Sequence, residues 1–85
     1  MKKHTKIYLA FFDYVLDDYI ACEVCNSKAV DIHHIECRGM GGSLKNDIYN
    51  LMALCRKCHI KYGDKKQYKD WLQEIHNEAI KKQTT

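Results

Sequence analysis

Cys22-x-x-Cys25 and Cys55-x-x-Cys58 enclose a His33-His34 doublet, and His59 directly follows the second pair. A CxxC turn presents two sulfurs to one ion, and zinc favours tetrahedral thiolate or imidazole coordination. Two such turns can close an all-thiolate site on Cys22, Cys25, Cys55 and Cys58, which leaves the imidazoles for other chemistry. The 29 residues between Cys25 and Cys55 exceed the usual zinc-ribbon separation, so a whole substructure must lie between the knuckles. Cys37 has no partner at knuckle spacing and is expected to be an unpaired, partly buried thiol.

Two rival uses of these cysteines are weaker. Cys55-Arg56-Lys57-Cys58-His59 fits the CxxCH pattern of covalent c-type haem. That chemistry needs export, for which the N-terminal residues offer no expected signal, and Cys22 and Cys25 would be left idle. A thioredoxin-like dithiol requires a βαβ pattern that neither pair has. Five cysteines, an odd number, also argue against a secreted disulfide framework and for a reducing compartment.

With four thiols assigned, the remaining constellation is His33-His34, Asn50 and His59. Together with Cys22-x-x-Cys25, Asp31-Ile32-His33-His34-Ile35 and Asn50-Leu51-Met52-Ala53-Leu54-Cys55-x-x-Cys58-His59, it resembles the HNH endonuclease family over residues 22–59. The resemblance implies a ββα-metal (His-Me finger) fold, two short antiparallel strands and a helix cradling one divalent ion. It implies that His34 is the general base activating water, and that His33 and His59 hold the catalytic metal. Asn50 would then brace the loop that orients the base. Some family members carry another histidine one turn after the last ligand. Gly63 stands there in this chain, so water is expected to complete the coordination. Magnesium prefers oxygen donors, so of Mg²⁺, Mn²⁺, Ni²⁺ and Co²⁺ the last three suit two imidazoles better. Asp31 is a candidate to orient one imidazole from behind. Lone histidines are usually ordinary surface groups, and that reading is applied to His4 and His76.

Elements must place these groups. Tyr8, Phe11, Phe12, Val15, Leu16 and Tyr19 recur at helical spacing, which predicts an N-terminal helix over 5–20 with Thr5 as N-cap. Ala29–Ile35 reads as a strand, and adjacent histidines on a strand point to opposite faces. Residues 36–47 hold three of the four glycines and predict a loop long for so small a chain. A second helix is expected to start within the Cys55–Cys58 knuckle and to break at Gly63-Asp64. A last helix spans 66–82, with Tyr68, Leu72, Ile75 and Ala79 along one stripe.

The 85 residues make one domain, near the size at which a hydrophobic core rarely supplies more than about 3–5 kcal/mol. A structural zinc contributes about 10–16 kcal/mol in small metal-folded peptides, so a metal staple is the expected remedy. The 14 basic and 11 acidic residues leave a charge of +3, too small to identify a nucleic-acid binder alone. Attraction to phosphate must be local, and Arg38, Lys45, Arg56, Lys57 and Lys61 are the DNA-binding candidates. Lys65, Lys66 and Lys69 read as helix-surface charges. No apolar run is long enough for a membrane span, and the chain is expected to be cytoplasmic.

The fold expected is therefore a small α+β domain: a zinc-stapled ββα-metal core over 22–63, flanked by N- and C-terminal helices. The function expected is metal-dependent cleavage or nicking of DNA, and the alternative is a non-catalytic zinc-binding nucleic-acid adaptor. So short a chain is similar to HNH proteins of phages and mobile elements. One such site cuts one strand, so double-strand cleavage would need a homodimer, a larger phage or host complex, or two visits.

Overall fold

The computed structural model describes residues 2–15, 17–36 and 47–84. Cys37, Arg38, Lys45 and most of the glycine-rich loop lie outside them. Helix α1 spans Lys3–Phe11, strand β1 Asp31–His34, strand β2 Leu51–Leu54, helix α2 Arg56–Tyr62 and helix α3 Lys69–Thr84. Short 3₁₀ turns at Ile48–Asn50 and Lys66–Tyr68 lead into β2 and α3. The architecture is α+β, as the sequence predicts.

β1 and β2 pair antiparallel, with Asp31 opposite Leu54, His33 opposite Met52 and His34 opposite Leu51. All four residues of β2 are completely buried because both faces of the hairpin are covered. On one face Met52 and Leu54 pack with Cys22, Ile35, Cys55, Cys58 and Leu72. On the other, Leu51 and Ala53 pack with Tyr8 of α1. The strand pair thus divides the core between the cysteine knuckles and the N-terminal helix.

The first knuckle is itself a small hairpin. Ala21 bridges to Lys28, the Ala29 amide donates to the Ile20 carbonyl, and Asn26 turns the chain with a left-handed φ of 70°. Asparagine tolerates that conformation better than most residues. The knuckle docks on β2 through the Glu23 amide, which donates to the Ala53 carbonyl at 3.0 Å. The second knuckle merges with α2. Cys55 is the N-cap, and its sulfur accepts from the Cys58 amide.

Two expectations need correction. The apolar period runs on to Tyr19, yet α1 ends at Phe11, and its N-cap is Lys2, not Thr5. Asp13 takes a left-handed φ of 59°, the Asp18 carboxylate accepts from the Val15 amide at 2.7 Å, and Val15 and Tyr19 are exposed. Short acidic side chains bind nearby amides and so compete with the helical ladder. His76, read as a surface histidine, is fully buried on α3 in line with Leu72 and Ile80. Its Nδ1 lies 2.7 Å from Glu23 Oε1 and its Nε2 lies 2.6 Å from the Ile48 carbonyl. The other Glu23 oxygen accepts from the Tyr8 hydroxyl at 2.6 Å and the Ala53 amide at 3.1 Å. One carboxylate therefore ties α1, the first knuckle, β2 and α3 together.

Candidate metal centres and the histidine cleft

The sulfurs of Cys22, Cys25, Cys55 and Cys58 all lie within 4.8 Å of one another. A tetrahedron with zinc–sulfur bonds of about 2.3 Å has edges of roughly 3.8 Å. Cys25 and Cys55 are 3.6 Å apart, and all four are free thiols. The donor set and its spacing fit a zinc ion. Hydrogen bonds from Ser27 hold the exposed Cys25 thiol down at about 6, whereas burial pushes Cys58 up.

A second cluster lies on the same face of the hairpin as the cysteine knuckles, since His33 stands opposite Met52 and Asp31 opposite Leu54. His33 on β1, His59 on α2 and Asp64 just beyond α2 bring one ligand atom each within 4.8 Å of the others. The His33 and His59 rings are 4.9 Å apart. Asp31 lies two residues before His33 on the same face of β1, and its carboxylate is 3.1 Å from His59 Nδ1. If Nδ1–H donates to Asp31, the lone pair is left on Nε2, which lies 3.9 Å from the Asp64 carboxylate. Burial and the neighbouring His59 hold the His33 imidazole below its usual range. Its neutral, ligating form is favoured accordingly. Two imidazoles and a carboxylate are a donor set for a divalent transition metal.

Asp64 was not among the residues singled out from the sequence. Gly63-Asp64 reads there only as a helix stop, and the acid one place beyond the expected histidine position was the available signal. Asp64 takes a left-handed φ of 62°, a conformation aspartate tolerates.

His34 follows His33 on the opposite face of β1, toward α1, where the His4 ring lies 4.6 Å away at 64°. His4, set aside as a surface histidine, is therefore a neighbour of the expected base. Both residues of the doublet border a cleft of about 530 Å³, because the strand ends there. The cleft is also lined by Asp64, Lys65, Lys66 and Lys69. Lys69 is paired with Glu36, and Lys65 donates to the Ile60 carbonyl. Of the sequence-derived basic candidates, Arg56, Lys57 and Lys61 are exposed on α2 and do not line this cleft.

Asn50 is buried opposite the end of β1. Its Oδ1 accepts from the Glu36 amide at 2.7 Å, and its Nδ2 donates to the Glu36 carbonyl at 2.9 Å. Its own carbonyl accepts from the Ile35 amide. The backbone turns into a 3₁₀ segment here, and the carboxamide supplies the donor and acceptor that a continuing strand would have offered. The two residues after His34 are fixed as a result.

No curated protein and no solved structure matches the chain. The family model for the HNH endonuclease matches residues 22–65, a span that holds both cysteine knuckles, the hairpin with its histidines, and Asp64. The chain belongs to the HNH endonuclease family.

Proposed function

We propose that the protein hydrolyses DNA phosphodiester bonds, nicking or cleaving a strand with the help of a divalent metal, while zinc on the four cysteines holds the scaffold. The observation that carries this reading is the convergence of His33, His59 and Asp64 beside a cleft that His34 also borders. A divalent ion held by those three residues would polarise the scissile phosphate and stabilise the departing 3′-oxygen. Mn²⁺, Co²⁺ or Ni²⁺ suits two imidazoles and one carboxylate better than Mg²⁺.

The remaining work falls to the chain's own side chains. His34 takes a proton from the attacking water, a task an imidazole nitrogen can perform as a general base. Asn50 positions it by fixing the segment that follows. Asp31 orients His59 through its Nδ1 and so turns its Nε2 toward the metal. Lys65 and Lys66, at the cleft, attract the phosphates without reading bases.

Nicking of supercoiled plasmid by zinc-loaded protein with added Mn²⁺ or Mg²⁺ tests the proposal. His34→Ala should lower the rate by about 10²–10⁴-fold, the usual contribution of a general base. A protein that nicks no form of DNA, or an alanine variant as active as wild type, refutes it. DNA binding retained without nicking is the behaviour of an adaptor.

A further inference from the structure

Tyr62 borders two depressions. On one side it lines the cleft of His33, His34 and Asp64. On the other, with Lys61, Tyr68 and Trp71, it forms a shallow groove. Tyr62 packs edge to face against both neighbours, 4.9 Å from Tyr68 at 83° and 4.9 Å from Trp71 at 64°. That geometry satisfies the ring quadrupoles against each other and keeps part of the ring surface outward. Trp71 remains 41% exposed, and it is the chain's only tryptophan. Lys61 reaches over the Tyr62 ring, its Nζ 5.2 Å from the centroid, and Lys66 is exposed nearby at the cleft.

Outward aromatic surface interleaved with ammonium groups is what an unpaired nucleic-acid strand requires: rings for its bases and cations for its backbone. A duplex keeps its base faces stacked inside and offers such rings nothing to cover. Position gives the groove a purpose. Tyr62 follows the ligand His59 by three residues on α2, about 4.5 Å of helical rise. That is on the order of one nucleotide step, since stacked bases in one strand are about 3.4 Å apart. We propose that the groove of Lys61, Tyr62, Tyr68 and Trp71 binds an unstacked nucleotide beside the phosphate held at the histidine cleft. The preferred substrate is then DNA with a single-stranded or flayed segment at the cut. This depends on the nuclease reading for the location of the phosphate, and the groove's occupant can be tested separately.

Trp71 is its own reporter. Zinc-loaded protein, without added divalent metal, is titrated at low salt with an oligothymidylate of about twelve nucleotides and with a duplex of equal length. The single strand should quench Trp71 emission, and the duplex should quench it less, because only unstacked bases can cover the ring. By anisotropy of the labelled oligomers, Trp71→Ala should weaken single-strand binding about tenfold and duplex binding less than about twofold, with Trp71→Phe recovering most of the loss. Bound oligothymidylate that leaves the emission unchanged overturns the proposal, and the wild-type measurement depends on no variant. Equal losses on single strand and duplex also overturn it. Plasmid nicking separates the two readings. Quenching without nicking leaves the groove standing and removes the hydrolase, and nicking without quenching does the reverse.

Discussion

Removing the Asn50 carboxamide should damage turnover more than stability. The side chain makes two hydrogen bonds to the Glu36 backbone, at 2.7 and 2.9 Å, two residues beyond His34. A net hydrogen bond contributes about 0.5–1.5 kcal/mol, so Asn50→Ala should cost about 1–3 kcal/mol. Glu36 is only half-buried, so water can meet its freed amide and carbonyl and hold the loss near the lower end. Catalysis has no such rescue. With the clamp gone, the end of β1 is released, and a misplacement of about 1 Å at a reacting group can cost about 10²-fold. The expected result is a kcat reduced about 10–10²-fold with KM little changed, alongside a urea transition shifted by the smaller amount. Asn50→Asp is the sharper probe. It keeps the acceptor for the Glu36 amide but sets a carboxylate oxygen against the Glu36 carbonyl, so it should be no better than alanine. Nicking within about twofold of wild type in folded Asn50→Ala would refute the positioning argument, as would an Asp variant of full activity.

Three other outcomes follow from the geometry. His76→Ala strands the Glu23 carboxylate inside the protein and should cost about 3–5 kcal/mol in urea unfolding; a loss below about 1 kcal/mol would show that the pair does not hold the elements together. Metal analysis should find about one zinc per chain, and Cys55→Ser, which removes both a ligand and the cap of α2, should release it; a full zinc complement with unchanged circular dichroism would contradict the site. Asp64→Asn should weaken Mn²⁺ binding in calorimetry at least about tenfold while the zinc count stays constant, since even residues behind a ligand cost about 10–100-fold when removed; unchanged affinity would exclude Asp64 as a ligand.

What was legible in the sequence and what was not divides by the range of the interaction. The knuckles, the first strand and α2 rest on spacings of a few residues, and the structure places them within a residue or two of where pattern puts them, whereas the second strand was implied only by the family resemblance. The assembly of the four sulfurs could be anticipated across a long gap because zinc chemistry demands four donors. The limit of α1 was not visible, since hydrophobic periodicity continues through Val15 and Tyr19 while Asp13 and Asp18 turn the backbone away. Nor was the burial of His76. A histidine in a helical stripe discloses its surroundings only when its partner is known, and Glu23 lies 53 residues away in sequence. That Lys65, Lys66 and Lys69 line the cleft beside the histidine doublet was not visible for a similar reason, since the strand and these lysines are brought together only by the tertiary fold.

Gly63 and Asp64 explain each other, and together they account for the departure from the histidine that some family members carry at this point. A Cβ on Gly63 would lie 2.4 Å from the His59 ring and 2.6 Å from the His59 carbonyl oxygen. The ring can rotate, but the carbonyl belongs to the backbone of α2 and accepts the Gly63 amide. With His59 held by Asp31, any side chain at 63 must displace either the His59 ring or the helix end. A third donor therefore has to come from elsewhere. Ending the helix at Gly63 and turning left-handed at the next residue brings the Asp64 carboxylate within 3.9 Å of the same imidazole. In the proposed site, a carboxylate in place of an imidazole would add a negative charge and a harder oxygen donor, which would favour Mn²⁺ over softer ions. In the proposed metal site, the glycine that excludes a side chain at 63 is thus the condition for a carboxylate at 64.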